Sequence, residues 1–244
     1  MPNKYRGGKM KLVIIPVKDE EGQKLKELAH DLCDKGMRVL IVEDHSKEPL
    51  AFPPLNDRYV IENKFEAGKG SALKFGIIYA GIKWKLNDSD LVVVMDGDGQ
   101  IDPKELDTFF RLMELYDADA VIGNKRHLFS VTMYGTVRRI VSQTYNFIVR
   151  MLFGFNYRDT QCGIKVFKRS ALCKVISLCE MKRYAFDLEL IVALRANEFR
   201  VVDAPVRVKK QNNLGSVSFR SILQTFIDTV KIYAKLKKGR YNHG

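Results

Sequence analysis

No apolar run in this 244-residue chain approaches the ~20 residues that cross a bilayer. The longest informative run, Leu91–Met95, has the length of a strand, so no transmembrane helix is expected in the chain as given. Cysteine is scarce. Cys33, Cys162, Cys173 and Cys179 show no C-x-x-C spacing, which argues against structural zinc. Four thiols without a signal peptide point to a reducing compartment. Internal repeats, low-complexity stretches and dividing linkers are missing too. Acids run short at one end: from Pro205 to Gly244 nine basic residues face one acid, against 32 and 28 in the first 204. That tail carries +8 of a net +12, so nucleic acid is not the expected partner. An ordinary domain whose basic end meets an anionic surface fits better. The 46% hydrophobic and 29% charged residues suit a globular chain and exclude a disordered one.

Residues 1–10 read as a flexible N-terminus. Leu12–Val17, Val39–Val42, Tyr59–Ile61, Leu91–Met95 and Ala120–Ile122 are short apolar runs, hence buried strands. Helical patterns lie between them: Glu21–Asp34 ended by Gly36, Gly68–Leu86, and one from Pro103 to about Tyr116. Beyond them, Val131–Phe153 reads as a long amphipathic helix, Gly163–Phe167 as a strand, Asp187–Ala196 as a helix and Val201–Val208 as a strand broken at Pro205. A last helix, Ser221–Lys237, carries an Ile222, Leu223, Phe226, Ile227, Val230 and Tyr233 stripe beside four lysines. The alternation predicts an α/β fold with a mostly parallel sheet flanked by helices. Ligands on such sheets bind at the carboxyl ends of strands. Polar clusters follow the strands here: Lys18-Asp19-Glu20, Glu43-Asp44, Asp96–Asp102 and Asn124–Arg126.

The most informative segment is Asp90–Pro103, DLVVVMDGDGQIDP. Two aspartates one residue apart close a buried strand, a costly arrangement unless a cation lies between them. Asp96, Asp98 and Gln100 offer only oxygen, which suits Mg²⁺ or Mn²⁺. Gly97 and Gly99 would let a bulky ligand approach the backbone. Such a cation completes its shell with substrate phosphates, so a diphosphate is the expected partner. Four readings compete. One is an acidic surface turn. A calcium loop needs Gly where Ile101 stands. A haloacid-dehalogenase-like phosphatase would use the first Asp as nucleophile, but its motif opens a domain and needs a second acidic pair downstream. A nucleotidyltransferase would open on a Gly-rich signature where Pro16–Glu20 stands.

Seven segments, taken in order and with their spacing, carry a resemblance over about Lys11 to Lys235: IIPVKDEE (14–21), VEDHS (42–46), EAGKGSAL (66–73), MDGDGQIDP (95–103), IGNKRH (122–127), RDTQCGIKVF (158–167) and YAFDLEL (184–190). The chain resembles inverting glycosyltransferases of family 2, most closely the dolichyl- or polyprenyl-phosphate hexosyltransferase branch. The resemblance implies a GT-A nucleotide-sugar fold with a divalent metal. Its catalytic domain would run over 11–213, with a basic amphipathic helix and tail over 214–244.

The resemblance also implies roles for residues. Pro16, Lys18, Glu20, Val42 and Asp44 match segments that contact the nucleotide; Lys18 stands where the family usually has Tyr, and His45 where it has Gly. Asp44 also reads as a helix cap or loop acid. Gly68–Ser71, with Lys69, opens a helix and reads either as a phosphate cradle or as a simple turn. Asp96, Gly97, Asp98 and Gln100 match the metal and donor motif. Lys125 or Arg126 matches the cation that neutralises the leaving diphosphate. Arg138 and Ser142, one helical turn apart, match an acceptor-phosphate site or form a solvated basic face. Asp159 and Gln161 match the acceptor-side loop. Asp187 and Glu189 occupy a Phe-Asp-x-Glu segment in which a carboxylate acts as base when the acceptor is a hydroxyl. A phosphate acceptor needs none. Asp187 also reads as a helix N-cap. One departure stands out: the basic residues expected around a late Gly-x-Ser are Asn212 and Ser218 here, which weighs against GDP-mannose and against the simplest lipid-phosphate acceptor, unless Lys209 or Lys210 substitutes.

The expected activity is transfer of mannose or glucose from a nucleoside-diphosphate sugar to polyprenyl (dolichyl) phosphate, or else to the hydroxyl of a lipid-linked sugar. The helices at 131–153 and 221–237 would rest on the cytoplasmic face of a membrane, or else pack on the sheet. The segment ending Lys237-Lys238-Gly239-Arg240-Tyr241 is of the juxtamembrane kind that can precede a transmembrane helix, so the protein would be peripheral or tethered by a segment absent from this chain.

Overall fold

The computed structural model describes residues 9–48, 50, 58–131, 136–154, 159–183, 185–209 and 219–242; the side chains of 136–142 and 219–222 lie outside that description. The chain runs β1 (Lys11–Val17), α1 (Gly22–Asp34), β2 (Arg38–Glu43), β3 (Arg58–Glu62), α2 (Lys69–Trp84) and β4 (Leu91–Met95). A 3₁₀ turn at Pro103–Glu105 leads into α3 (Leu106–Leu115). Then follow β5 (Ala120–Asn124), α4 (Thr136–Phe153), β6 (Ile164–Lys168), α5 (Arg169–Ile176), α6 (Ala185–Ala196), β7 (Val201–Pro205) and α7 (Phe219–Lys237).

The strands form one sheet of seven in the order β3-β2-β1-β4-β6-β5-β7. Its pairings are parallel except at β6, which runs antiparallel to β4 and to β5. Both faces are covered, which is why the strands read as unbroken apolar runs. Leu12 and Ile14 face α2, α5 and α6 on one side, while Val13, Ile15 and Val17 face α1 and α3 on the other. Helix α1 presents Leu25, Leu28, Ala29 and Leu32 to that second layer, at helical spacing. Truncating Leu25, fully buried there, would cost about 2–5 kcal/mol.

This topology gathers the polar clusters. Strands β1, β2, β4 and β5 end at one rim of the sheet, and reversed β6 begins there. The Asp159–Gly163 segment therefore arrives beside Asp96. The turns of the opposite rim hold Lys85, Asp117 and Glu198 in the left-handed region, at φ 48°, 43° and 59°.

Three sequence expectations are revised. The long amphipathic helix starts at Thr136, because Val131 pairs instead with Arg207 in a short bridge. Helix α5 follows β6 without a break and has no counterpart in the sequence reading. Helix α6 begins at Ala185, so Asp187 lies inside its first turn and is not its N-cap.

Candidate active site

The site is built on the turn after β4. The Asp96 amide donates to the Gly163 carbonyl at 2.8 Å, tying the turn to the start of β6. A Cβ on Gly163 would lie 2.0 Å from Asp96 Oδ2, so the carboxylate occupies the space that glycine leaves. Gly97 has a different role from the one expected. Its missing side chain accommodates Val17, Ile15 and Leu25 beneath the turn, so it serves packing and not ligand approach. Gly99 turns the chain at φ +68° with open space around it.

Asp98 accepts from the Gln100 amide at 3.0 Å and from the Gln100 side-chain amide at 2.6 Å. Gln100 thus orients Asp98 with its N–H groups, a role distinct from direct ligation. Asp96, Asp98, Gln100, Ile101, Lys125 and Gly163 line one open pocket. Burial raises the Asp98 carboxyl above the ordinary range; the Gln100 amide opposes this, Asp96 adds to it, and Lys125 and Lys69 oppose it. Glu20 is raised as well, by burial and then by Asp98 and Asp96, which places it beside the pair. Negative charge is therefore concentrated at the turn.

A hard divalent cation fits this donor set. Asp96 and Asp98 offer carboxylate oxygens at a strand end, and the residues lining the pocket include neither His nor Cys. Among the described residues no group of three or more His, Cys, Asp or Glu is arranged to hold a metal. A pair of carboxylates would leave the remaining coordination positions to a substrate's phosphates.

Behind the turn lies a chain of alternating charges. Lys69 Nζ is 2.8 Å from Asp96 Oδ1 and 2.9 Å from Asp187 Oδ2. The other Asp187 oxygen is 2.7 Å from Lys165 Nζ. Burial alone would raise the Asp187 carboxyl, but Lys165 and Lys69 outweigh it and hold it at about 2. With both oxygens engaged by lysines, such a carboxylate is a poor proton acceptor at neutral pH. Burial works against the Lys69 ammonium; Asp187 and Asp96 overcome it and keep it above the usual lysine range.

The glycine loop before α2 packs against protein. A Cβ on Gly68 would meet the Lys182 carbonyl oxygen at 2.3 Å, and one on Gly70 would meet the Phe186 ring at 2.4 Å. The Gly70 amide already donates to that Lys182 carbonyl, at 3.1 Å. Asp44, buried, takes the Gly68 amide on both oxygens, at 3.0 and 2.8 Å, and the Asn63 amide at 3.0 Å. Its observed role is to clamp the loop that carries Lys69. The Val42 side chain is fully buried over Gly76, where it packs in the core. Pro16 pairs with it in register and is part-buried, and Lys18 is exposed.

On the other side, Asp159 accepts from the Lys125 amide at 3.1 Å and the Gln161 amide at 3.0 Å. Buried in this way it shapes the loop that presents Lys125; Gln161 is part-buried beside it. Of the two basic candidates, Lys125 lines the pocket, while Arg126 gives its backbone N–H to Asn124 at 2.8 Å. Glu189 is engaged by the protein's own donors. Fully buried, it takes the Glu180 and Met181 amides at 2.6 and 2.7 Å, Lys235 at 3.0 Å and the Tyr241 hydroxyl at 2.7 Å. Arg138 and Ser142 fall on α4, but their side chains lie outside the described residues, as does the late loop with Asn212, Gly215, Ser216 and Ser218. That loop leaves from Lys209, whose amide donates to the Gln100 carbonyl at 2.9 Å.

Sequence reasoning missed Lys165, Asn63 and Gly163. Lys165 did leave a signal, a lysine inside the apolar run Ile164–Phe167.

Residues 12–176, well over half of the chain, match the family described as Glycosyl transferase family 2. The chain belongs to this family. This glycosyltransferase is 23% identical over 240 residues to a dolichyl-phosphate beta-glucosyltransferase of Trichomonas vaginalis, covering 93% of this chain and 68% of that protein. It is 25% identical over 208 residues to a dolichyl-phosphate beta-glucosyltransferase of Dictyostelium discoideum, covering 80% of this chain and 62% of that one. Among solved structures, it is similar to glucosyl-3-phosphoglycerate synthase from Mycobacterium tuberculosis. The complex with phosphoglyceric acid gives a TM-score of 0.70 at 13% identity, covering 94% of this chain and 82% of that one. The complex with Mn²⁺ and UDP-glucose gives a TM-score of 0.68 at 14% identity, covering 94% and 80%. At these identities the likeness concerns the fold, and the fold is GT-A, a mostly parallel sheet flanked by helices.

Proposed function

We propose that this glycosyltransferase moves a hexose, glucose in preference to mannose, from a nucleoside-diphosphate sugar to polyprenyl (dolichyl) phosphate with inversion. The observation that carries the reading is the Asp96–Asp98 pair facing Lys125 across one pocket at the carboxyl end of the sheet. The two relatives described as dolichyl-phosphate beta-glucosyltransferases support the acceptor and the sugar. Asn212 and Ser218 weigh against GDP-mannose.

Asp96 and Asp98 would hold Mn²⁺ or Mg²⁺, and Gln100 would keep Asp98 aimed. When bound, the cation supplies Lewis-acid neutralisation of the donor's diphosphate. Lys125 places a fixed positive charge where the leaving group gains negative charge as the sugar bond breaks. Lys69 adds a second ammonium from the other side. Asp159 sets the position of Lys125 through its backbone N–H. A phosphate acceptor arrives ionised, so positioning and charge neutralisation suffice. The state of Asp187, doubly paired with lysines, favours that acceptor over a sugar hydroxyl.

The acceptor's lipid gives a role to an apolar surface on α4 and α7. Phe147, Met151, Leu223, Phe226, Ile227 and Val230 are exposed there, with Lys231 and Lys237 nearby on α7. Among the described residues no helix is long and apolar enough to cross a membrane. We assign this surface to the cytoplasmic leaflet, where apolar burial and attraction to anionic headgroups act together.

The test is direct. The protein is incubated with UDP-glucose or GDP-mannose, Mn²⁺ and polyprenyl phosphate, and the lipid phase is examined for a glycolipid. Product from UDP-glucose that disappears with Asp98→Ala is expected. Undiminished product from Asp98→Ala would refute the reading.

A further inference from the structure

Lys165 has no place in the catalytic account above, yet it is the most anomalous side chain in the sheet. It stands in β6, the strand between β4 and β5, opposite Val94 on one side and Ile122 on the other. It is 1% exposed. Burying an ammonium so completely is unfavourable unless its hydrogen bonds and charge are answered. Lys165 Nζ donates to the Cys162 carbonyl at 2.6 Å and to Asp187 Oδ1 at 2.7 Å. An isolated Lys165–Asp187 pair would satisfy the core and stop there. This one continues: Asp187 Oδ2 takes Lys69, and Lys69 reaches Asp96 Oδ1. Four charges of alternating sign thus run from the interior of the sheet to the turn that faces the pocket.

We propose that Lys165 is a positioning residue for the donor site: it fixes the Asp187 carboxylate, which in turn holds the Lys69 ammonium beside Asp96, where the donor's diphosphate arrives. The physical reason is preorganisation. Lys69 has a long flexible stem, and ordering it when a ligand binds would cost rotamer freedom. Two ammonium groups on the two oxygens of Asp187 set the plane of that carboxylate, and the plane sets the direction of Lys69. The Gly68–Gly70 backbone, seated on Met181, Lys182 and Phe186, fixes the root of the same side chain. Root and tip are both held before any ligand arrives. The inference rests on the reading of this pocket as a nucleoside-diphosphate site.

The experiment compares binding with stability. Lys165→Met alone leaves the buried Asp187 carboxylate with Lys69 as its one ammonium, so the variant of choice is Lys165→Met with Asp187→Asn, which removes both charges together. UDP and GDP, each with Mn²⁺, are titrated calorimetrically into the unaltered protein and into the variant, and urea unfolding is recorded for both. The expected result is an unfolding midpoint close to the parent's, with nucleotide binding weakened about tenfold or more. Lys69→Met in the parent should give the same loss, and Lys69→Met added to the pair variant should give no further loss. Parent-like affinity in the pair variant overturns the proposal, because a purely structural pair would be restored in binding as well as in stability. Losses that multiply when the substitutions are combined overturn it too, since they would show Lys69 acting independently of Lys165. If the pair variant does not fold, Lys165→Met alone, which removes the donor to Asp187 Oδ1, decides by the same measurements. If neither nucleotide binds the unaltered protein, the donor-site reading fails and the proposal falls with it. If the parent binds and the variants bind equally, only the positioning role is lost.

Discussion

Replacing Glu189 with Gln tests whether this carboxylate belongs to the acceptor or to the scaffold. Its Oε2 accepts the two consecutive amides of Glu180 and Met181, and its Oε1 accepts Lys235 and the Tyr241 hydroxyl. All four partners are donors. Glutamine keeps one acceptor oxygen and turns an NH₂ toward donors on the other side, so one end of the network is broken whichever way the amide points. Removing one member of a buried charged pair costs about 3–5 kcal/mol. In a chain of this size, each kcal/mol moves the melting temperature by roughly 2–4 °C, so the midpoint should drop by about 6–20 °C. Tyr241→Phe removes a single charge-assisted hydrogen bond and should cost less, about 1.5–3 kcal/mol. Thermal and urea unfolding at neutral pH measure both, and the acceptor KM is read on the same preparations. A Glu189→Gln protein that melts with the parent while its acceptor KM rises severalfold would refute the structural assignment.

Gly163→Ala would place a methyl carbon 2.0 Å from Asp96 Oδ2, and so must swing that carboxylate off the turn. Calorimetric titration should show Mn²⁺-dependent nucleotide affinity falling about tenfold or more, and unchanged affinity would contradict the geometry. Asp187 also predicts an acid response. Its folded value, about 2, lies below the ordinary 3.8, so its stabilisation is complete above about pH 4 and fades as pH falls through 2. A shift of that size corresponds to about 2 kcal/mol, and Asp187→Asn should unfold with a correspondingly shallower pH dependence over that range.

The frame of the fold was legible because both faces of the sheet are covered: every strand up to β5 shows as an apolar run ended by polar residues. The direction of β6 was not legible, since an apolar run looks the same in either sense. Val131 looked helical because it continues the apolar spacing of α4; its pairing with Arg207 depends on a segment 70 residues and more away, just past β7. The acids of the β4 turn were readable from chemistry alone, because two carboxylates at a strand end need an explanation. Asp187 and Glu189 were not separable in sequence. They sit two residues apart, on different sides of one buried helix, and only the tertiary neighbours distinguish them. The glycines misled in one direction. At Gly68, Gly70 and Gly97 the missing side chain makes room for protein, which sequence cannot tell from room for a ligand.

The distant rim of the sheet offers a freedom that the catalytic edge lacks. Lys85, Asp117 and Glu198 are exposed and adopt a backbone that side chains resist. Glycine or asparagine at those corners, or a reporter domain spliced in there, would alter the protein at the end of the sheet remote from Asp96. An engineer seeking a hardier or visible version of the enzyme has three addresses at which to begin.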